Sequence, residues 1–349
     1  MTTSFDSSVI VPYRCPRCES DLQRGGGGLE CGSGHRYPVR GAVPVFLARS
    51  DGEGAPTEER LTRLNQAARE HGWREALDIA FSDEPEHVRY VTDESRLQLL
   101  DLLPLDATST VLEVGCSLGQ VTEHLARRVD GLCALEVVPE QAEFAALRCR
   151  QEGLENVQVA CAGDDCRIPF PSNAFDVVVL NLVLEWCGQR GTEAFASSQQ
   201  RMLRECSRVL RPGGHLFVAT KNRFSIHLLV GGQDEHTDNL RFGSAAPRWL
   251  LRVLSRACGR PPKGRLYSLR ELRRALRAAG FDEMDLYWAI PHPRYPACHV
   301  PFERNAINAA RRRLAEGGRM GPLTRLLLWL PTHMTRHLTP GLSIVARKS

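Results

Sequence analysis

Lysine is nearly absent from this chain of 349 residues: Lys221, Lys263 and Lys348 are the only three, so almost all of the positive charge is arginine. A net charge of +4 built this way reads as the coding habit of a GC-rich genome rather than as a nucleic-acid surface. Long apolar runs are missing too. None is longer than Leu326–Leu330, far too short to span a bilayer, and the start, MTTSFDSSVIVPYR, lacks the basic and apolar regions of a secretory leader. The chain is therefore expected to be soluble and cytoplasmic, with no membrane partner. Twelve cysteines without an export signal point to thiols, some of them metal ligands, rather than to a disulfide framework. With 42% hydrophobic and 25% charged residues, the chain can bury one large core and carry a small second module.

Residues 1–48 hold the cysteines whose spacing is informative. Cys15-Pro-Arg-Cys18 and Cys31-Gly-Ser-Gly-His35 flank the glycine run Gly25–Gly28. Cys-x2-Cys sets two thiolates on one tight knuckle, and Cys-x3-His adds a thiolate and an imidazole. Cys15, Cys18, Cys31 and His35 thus make a closed, tetrahedral set for a structural Zn2+. So short a segment cannot bury enough apolar surface to fold alone, and zinc would supply an apparent ~10–16 kcal/mol. Four protein ligands leave no open position for catalysis. Residues 49–106 open with the polar linker SDGEGAPTEE and continue with Leu61, Leu64, Ala68 and then Leu97, Leu100, Leu103 at steps of three and four. This reads as a helical bridge covering one edge of the domain that follows, with no chemistry assigned.

Residues 107–349 carry the strongest signal. Thr110-Val-Leu-Glu-Val114 is a short apolar strand that runs into Gly115-Cys116-Ser117-Leu118-Gly119 and then into a helix through Val121, Leu125 and Val129. A glycine turn there lets backbone approach a ligand and aims helix N-terminal amides at it. A second strand, Leu132–Leu135, ends in Glu136, where a carboxylate can accept both hydrogen bonds of a ribose diol. A third, Val157–Ala160, leads to Gly163-Asp164-Asp165, a fourth is Phe175–Asn181, and Leu210-Arg-Pro-Gly-Gly214 turns a helix into a fifth.

Taken in order, these residues resemble the class I S-adenosylmethionine-dependent methyltransferases, continuously from Thr110 to about Thr220. The resemblance implies an α/β, Rossmann-like, seven-stranded core that follows the small zinc ribbon. Cys116-Ser117 stand where that family often has a third glycine, and small residues keep the turn passable. A nicotinamide-binding domain would also use a glycine turn and an acidic strand end, but it usually keeps Gly-x-Gly-x-x-Gly, whereas here the pattern is Gly-x-x-x-Gly preceded by Glu113. By resemblance, Glu113, Gly115, Cys116, Ser117 and Gly119 line the methionine portion of S-adenosylmethionine. Glu136 with Val137 takes the ribose, Asp164 with the backbone of Asp165 takes the adenine, and Asn181 faces cofactor and incoming substrate.

Tyr267–Phe281 reads as a capped amphipathic helix with a glycine stop, followed by strands at Met284–Ile290 and Leu342–Arg347. Arg270, Arg273, Arg274 and Arg277 form the solvated face of that helix. Against the family core, residues 222–265 and 291–340 are insertions, where substrate is chosen. The first holds Gly231-Gly232-Gln-Asp234-Glu235-His236-Thr237. His236 has a suitable unperturbed pKa for a general base, Asp234 or Glu235 could orient it, and Glu185 after the fourth strand could face substrate. His236 and Glu185 are the candidate catalytic residues, each with a surface or helix-start role as the plain alternative.

The acceptor is less legible. The Cys-x2-Cys-x12-Cys-x3-His module before a methyltransferase is similar to that of bacterial large-subunit rRNA guanine methyltransferases, which implies RNA as one candidate substrate. The two insertions depart from that family and are more similar to methyltransferases of bacterial polysaccharide and natural-product pathways. Arginines spread along the chain, without a basic patch interleaved with aromatics, favour an O or N nucleophile on a small molecule, sugar or peptide. A cofactor-binding scaffold without transfer activity is a third reading.

Overall fold

The computed structural model describes residues 9–48, 56–190, 193–316 and 321–349; the linker stretch 49–55 and residues 317–320 of the second expected insertion lie outside the described residues. Four short strands come first: β1 (Leu22–Gly25), β2 (Gly28–Cys31), β3 (Arg36–Arg40) and β4 (Val43–Pro44), antiparallel and in chain order. The β1–β2 hairpin closes through Gly26 and Gly27 at φ +56° and +86°, two left-handed positions in a row that glycine supplies without strain. At Gly28 a Cβ would stand 2.3 Å from the Tyr37 carbonyl oxygen, so glycine is also what lets β2 approach β3.

Helices Pro56–His71, Trp73–Ala80 and Pro85–Thr92 and a 3-10 segment, Glu94–Leu102, follow. Leu97, Leu100 and Leu103 thus fall on or just past the tighter helix rather than on an α-helix.

The remaining strands are β5 (Thr110–Val114), β6 (Gly131–Glu136), β7 (Val157–Cys161), β8 (Phe175–Asn181), β9 (Leu210–Lys221), β10 (Phe281–His292), β11 (Tyr295–Pro301) and β12 (Gly341–Lys348). They form one mixed sheet in the order β11-β10-β12-β9-β8-β5-β6-β7, the α/β, Rossmann-like arrangement expected. β5, β6 and β7 run parallel, and β10 is antiparallel to both β11 and β12. The sheet has eight strands where seven were expected: β11 opens what was read as an insertion.

The chain divides into two units. The first comprises Met1–Leu100, Pro104–Val179 and Arg208–His215; the second comprises Asp101–Leu103, Leu180–Ser207 and Leu216–Ser349. In the first, Leu61, Leu64, Ala68, Trp73 and Leu77 bury against Leu118 and Phe144, so the helical segment seats on the glycine turn and the helix Pro139–Gln151. A second cluster joins Val43 and Val45 to Cys116, Ala142, Ala145, Val159 and Cys161. Here the N-terminal residues meet β7, the last strand of the sheet. Val45 makes a parallel bridge to Cys161, Phe46 N–H donates to the Cys161 carbonyl at 2.7 Å, and the Gln158 side chain accepts from Ile10 N–H at 2.9 Å and donates to the Val11 carbonyl at 2.9 Å.

In the second unit, Trp288, Ile290, Val300, Ile307, Leu327 and Leu328 form the core. The helix Leu269–Arg277 begins with a capping box, Ser268 and Glu271 each bonding the other's backbone, and buries Leu272 and Leu276. Arg270, Arg274 and Arg277 are exposed. Among the described residues no helix is long and apolar enough to cross a membrane.

Candidate functional site

Between β5 and the helix Gln120–Ala126 the chain turns through Gly115, Ser117 and Gly119, all left-handed, at φ +80°, +50° and +78°. Gly115 and Cys116 N–H both donate to the Leu135 carbonyl, at 2.7 and 3.0 Å, which pins the turn to β6. A Cβ at Gly119 would lie 3.1 Å from Ala145, so glycine is needed for the turn to pass the helix Pro139–Gln151.

β6 ends in buried Glu136. Its Oε2 accepts Ser117 N–H at 2.8 Å, and its Oε1 accepts Val137 and Val138 N–H at 2.8 and 3.1 Å. The strand-end carboxylate and the glycine turn therefore border one point. Beyond β7, Gly163 has φ +104° and no atom within 4 Å of where a Cβ would stand, so open space lies beside the Gly163-Asp164 turn. Asp164 accepts Ala48 N–H on both carboxylate oxygens, at 3.0 and 3.1 Å. Asp165 accepts Arg167 N–H at 3.0 Å, a local turn bond. A carboxylate at the second strand end, a glycine turn beside it and room at the third strand end suit the nucleoside and amino-acid parts of S-adenosylmethionine.

Two expected lining residues, Glu113 and Cys116, are buried in this structure. Glu113 is buried and its Oε2 accepts the Thr122 hydroxyl at 2.6 Å; burial raises its pKa to about 7 against that hydrogen bond. Cys116 is buried, and burial pushes its thiol well above the usual range. Cys18 and Cys258 are the exposed thiols.

Asn181, Glu185 and His236 all belong to the second unit, with Asn181 half-buried at the end of β8. The structure brings Glu185, Asp234 and His236 into one buried cluster. His236 Nδ1 lies 3.2 Å from Asp234 Oδ1; a carboxylate only accepts, so Nδ1 donates, and in the neutral imidazole Nε2 is then the acceptor. Asp234 also accepts the backbone N–H of His236 at 3.0 Å and of Ser244 at 2.8 Å. Burial pushes the Asp234 carboxyl up, but the bonds from His236 and Ser244 prevail and bring it down to about 2. The imidazole leans on Trp186 at 4.4 Å between ring centres. His236 Nε2 and Glu185 Oε2 are both buried with no hydrogen-bond partner. Glu185 is 1% exposed, and burial raises its pKa, with His236 and Thr220 opposing.

Glu235 bonds Lys221, lies 3.4 Å from Arg294 Nη2 and stands 3.9 Å from His236 Nε2, so Asp234 holds the Nδ1 side of the ring and Glu235 borders the other. Gly264 keeps this loop closed, because a Cβ there would meet the Glu185 carbonyl oxygen at 2.6 Å and His236 Cδ2 at 2.9 Å. Trp186, Thr122 and Arg294 were not identified from sequence; Trp186 and Arg294 meet their partners across a long chain separation, and Thr122 reaches Glu113 from the next element, nine residues on.

The N-terminal cluster is the third feature. The ligand atoms of Cys15, Cys18, Cys31 and His35 all lie within 4.8 Å of one another. His35 Nδ1 is 3.4 Å from Cys15 Sγ and 3.3 Å from Cys31 Sγ, and Cys18 Sγ is 3.7 Å from Cys31 Sγ. A tetrahedron with bonds of about 2.0–2.3 Å has edges of about 3.3–3.8 Å. The spacing fits a four-coordinate metal. Tyr37 hydroxyl stands 3.1 Å from Cys15 Sγ, able to donate to it.

Comparison with known proteins bears on the glycine-turn half of this description. Residues 112–218 match the family described as "Methyltransferase domain". This stretch is a class I methyltransferase domain. A malonyl-[acyl-carrier protein] O-methyltransferase of Marinomonas sp. is 28% identical over 129 residues, 37% of this chain and 44% of that protein. Methyltransferase GfsG of Streptomyces halstedii is 32% identical over 123 residues, 35% of this chain and 41% of that protein. The chain therefore spans less than half the length of these curated relatives. A solved S-adenosylmethionine-dependent methyltransferase from Thermotoga maritima aligns with a TM-score of 0.44 and 18% identity, covering 77% of this chain and 97% of that one. The methyltransferase domain includes Glu113, the glycine turn, Glu136, Asp164 and Asn181; the Cys/His cluster and the His236 loop lie outside it.

Proposed function

We propose that this protein transfers a methyl group from S-adenosylmethionine to an O or N nucleophile of a small molecule, sugar or peptide in a biosynthetic pathway. The observation that carries the reading is His236, buried, oriented by Asp234 and holding an Nε2 that no hydrogen bond occupies, with Glu235 Oε1 3.9 Å from it, in a chain with a methyltransferase domain. When bound, S-adenosylmethionine supplies an electrophilic methyl group for in-line displacement. Ser117 and Gly119 shape the turn for its amino-acid end, Glu136 takes the ribose and Asp164 the adenine. His236 Nε2 accepts the proton of the hydroxyl or ammonium nucleophile, and Asp234 stabilises the imidazolium that results. Glu185, its pKa raised by burial and its Oε2 without a hydrogen-bond partner, faces the acceptor in this reading. The relatives support a small-molecule substrate, since one acts on a malonyl group held by a carrier protein, according to its name.

Cys15, Cys18, Cys31 and His35 hold a structural Zn2+ in this reading, and the module serves as a docking surface for a substrate carrier or partner. The domain boundaries proposed are 1–48 for the module, 49–106 for the linker and bridge, and 107–349 for the catalytic domain. The deciding experiment incubates the protein with methyl-labelled S-adenosylmethionine and a host extract, then separates RNA, protein and small-molecule fractions, with Gly115→Asp as control. Label in the small-molecule or peptide fraction is expected. Label in RNA that ribonuclease removes would replace this substrate class with RNA, and cofactor binding without any labelled product would leave a scaffold.

A further inference from the structure

Between Asp238 and Glu271 the second unit runs through eight arginines and lysines without one acidic side chain. The helix Arg248–Ala257 lies in the middle of this stretch, and its sides are reversed. A surface helix normally turns its apolar stripe to the core. Here Ser255 is the buried residue, whereas Trp249, Val253 and Leu254 are 67%, 57% and 41% exposed. Steps of three and four place Arg252 and Arg256 along the flank of that outward stripe, both exposed and joined to no carboxylate among the described residues.

The stripe is held at both ends. Arg223 donates from Nε to the Ser244 carbonyl at 2.8 Å and from Nη2 to the Ala246 carbonyl at 2.9 Å, just before the helix, and Arg248 Nη2 donates to Glu271 Oε1 at 2.7 Å from its first turn. Beyond the helix, Lys263 N–H donates to the His236 carbonyl at 2.8 Å, so the segment returns to the candidate base. Outward apolar side chains side by side mark a contact surface. A helix with such a stripe, a tryptophan in it and arginines along its flank suits the plane of a bilayer. The stripe enters the acyl boundary, the indole sits at headgroup level, and the arginine heads reach lipid phosphates. A stretch with no acid favours anionic over zwitterionic lipid.

We propose that the helix Arg248–Ala257 is an interfacial anchor that seats the second unit on a bilayer carrying anionic lipid, with Trp249, Val253 and Leu254 entering it and Arg252 and Arg256 binding headgroup phosphates. This goes beyond the methyltransferase reading and needs neither cofactor nor His236. A surface contact of this kind requires no spanning helix, so the lack of a long apolar run does not bear on it.

The test floats the full chain with vesicles of phosphatidylcholine alone and of phosphatidylcholine mixed equally with phosphatidylglycerol. The protein is expected to bind the mixed vesicles about tenfold more tightly than phosphatidylcholine alone, and less so in about 1 M salt. Trp249→Ser with Val253→Ser, and separately Arg252→Gln with Arg256→Gln, are each expected to weaken binding to mixed vesicles about 10- to 30-fold. These positions face solvent, and an unchanged thermal midpoint shows that the variants are folded. No flotation with mixed vesicles, or flotation that both double variants retain in full, overturns the anchor. A dimer in light scattering that the serine variant abolishes, without flotation, gives the stripe to a second copy instead, and retention on polyglutamate without flotation gives it to an acidic protein. Flotation of a protein that binds no S-adenosylmethionine would overturn methyl transfer and leave the anchor standing.

Discussion

Ala48 N–H donates to both carboxylate oxygens of Asp164, across 116 positions of the chain. The last described residue before the linker is thereby tied to the acidic residue expected to meet adenine. Asp164→Ala removes that tie and the adenine partner together. We expect S-adenosylmethionine affinity to fall about tenfold and stability by about 1–3 kcal/mol, measured by calorimetric titration and by urea unfolding. An unchanged dissociation constant would take Asp164 out of the cofactor site.

His236→Ala separates chemistry from binding. The variant is expected to lose about 100-fold or more in kcat while its cofactor dissociation constant stays within twofold. Asp234→Asn, which breaks the hydrogen bond that fixes the tautomer, is expected to give a smaller loss of kcat. Full activity in His236→Ala would remove the general base.

Glu113 gives a pH signature. Its folded-state pKa, about 7 against an ordinary 4.5, means the folded chain holds this proton more tightly than the unfolded chain. Its contribution to stability is complete below pH 4.5 and is lost as pH rises through 7, about 3 kcal/mol in all. Glu113→Gln keeps the neutral hydrogen-bonding shape, so its unfolding free energy is expected to lack that decline. A wild-type stability curve flat between those limits would show Glu113 ionised throughout.

Asp234 acts with the opposite sign. Held at about 2 against an ordinary 3.8, it adds stability above pH 3.8 that disappears as pH falls toward 2. Acid unfolding of Asp234→Asn should lack this component, and an identical acid limb in both proteins would argue that the His236 and Ser244 bonds do not persist in solution.

The Cys/His module predicts a metal stoichiometry. Elemental analysis of freshly purified protein is expected to give one zinc per chain, and Cys15→Ser to lose it together with the folded signals of residues 9–48. Much less than one zinc in the wild type would leave the four residues as a thiol cluster.

What the sequence revealed were features closed within a few residues. The Cys-x2-Cys knuckle and the Ser268–Glu271 capping box bond their own backbone locally, and the Thr110–Gly119 strand and turn, although bonded to β6, pack their apolar and glycine signals into ten consecutive residues, so residue type and spacing suffice. β11 was hidden because Pro296 and Pro301 argue against a strand, yet an outermost strand needs only one ladder and tolerates the missing N–H groups. The stacking of Trp186 on His236 depends on long-range packing, which no local pattern encodes. The bond between Glu113 Oε2 and the Thr122 hydroxyl, nine residues on, likewise has no motif that announces it.

The seam between Val45-Phe46 and β7 has a consequence for how the protein behaves when damaged. An uncovered parallel strand offers a row of unpaired amides and carbonyls on which another chain can pair. The N-terminal residues occupy that row at Cys161 and clamp it at Gln158. Unfolding of the module, by oxidation of exposed Cys18 or by chelation of the proposed Zn2+, would therefore convert this flank into a sticky template, and turbidity is expected before any loss of helical signal.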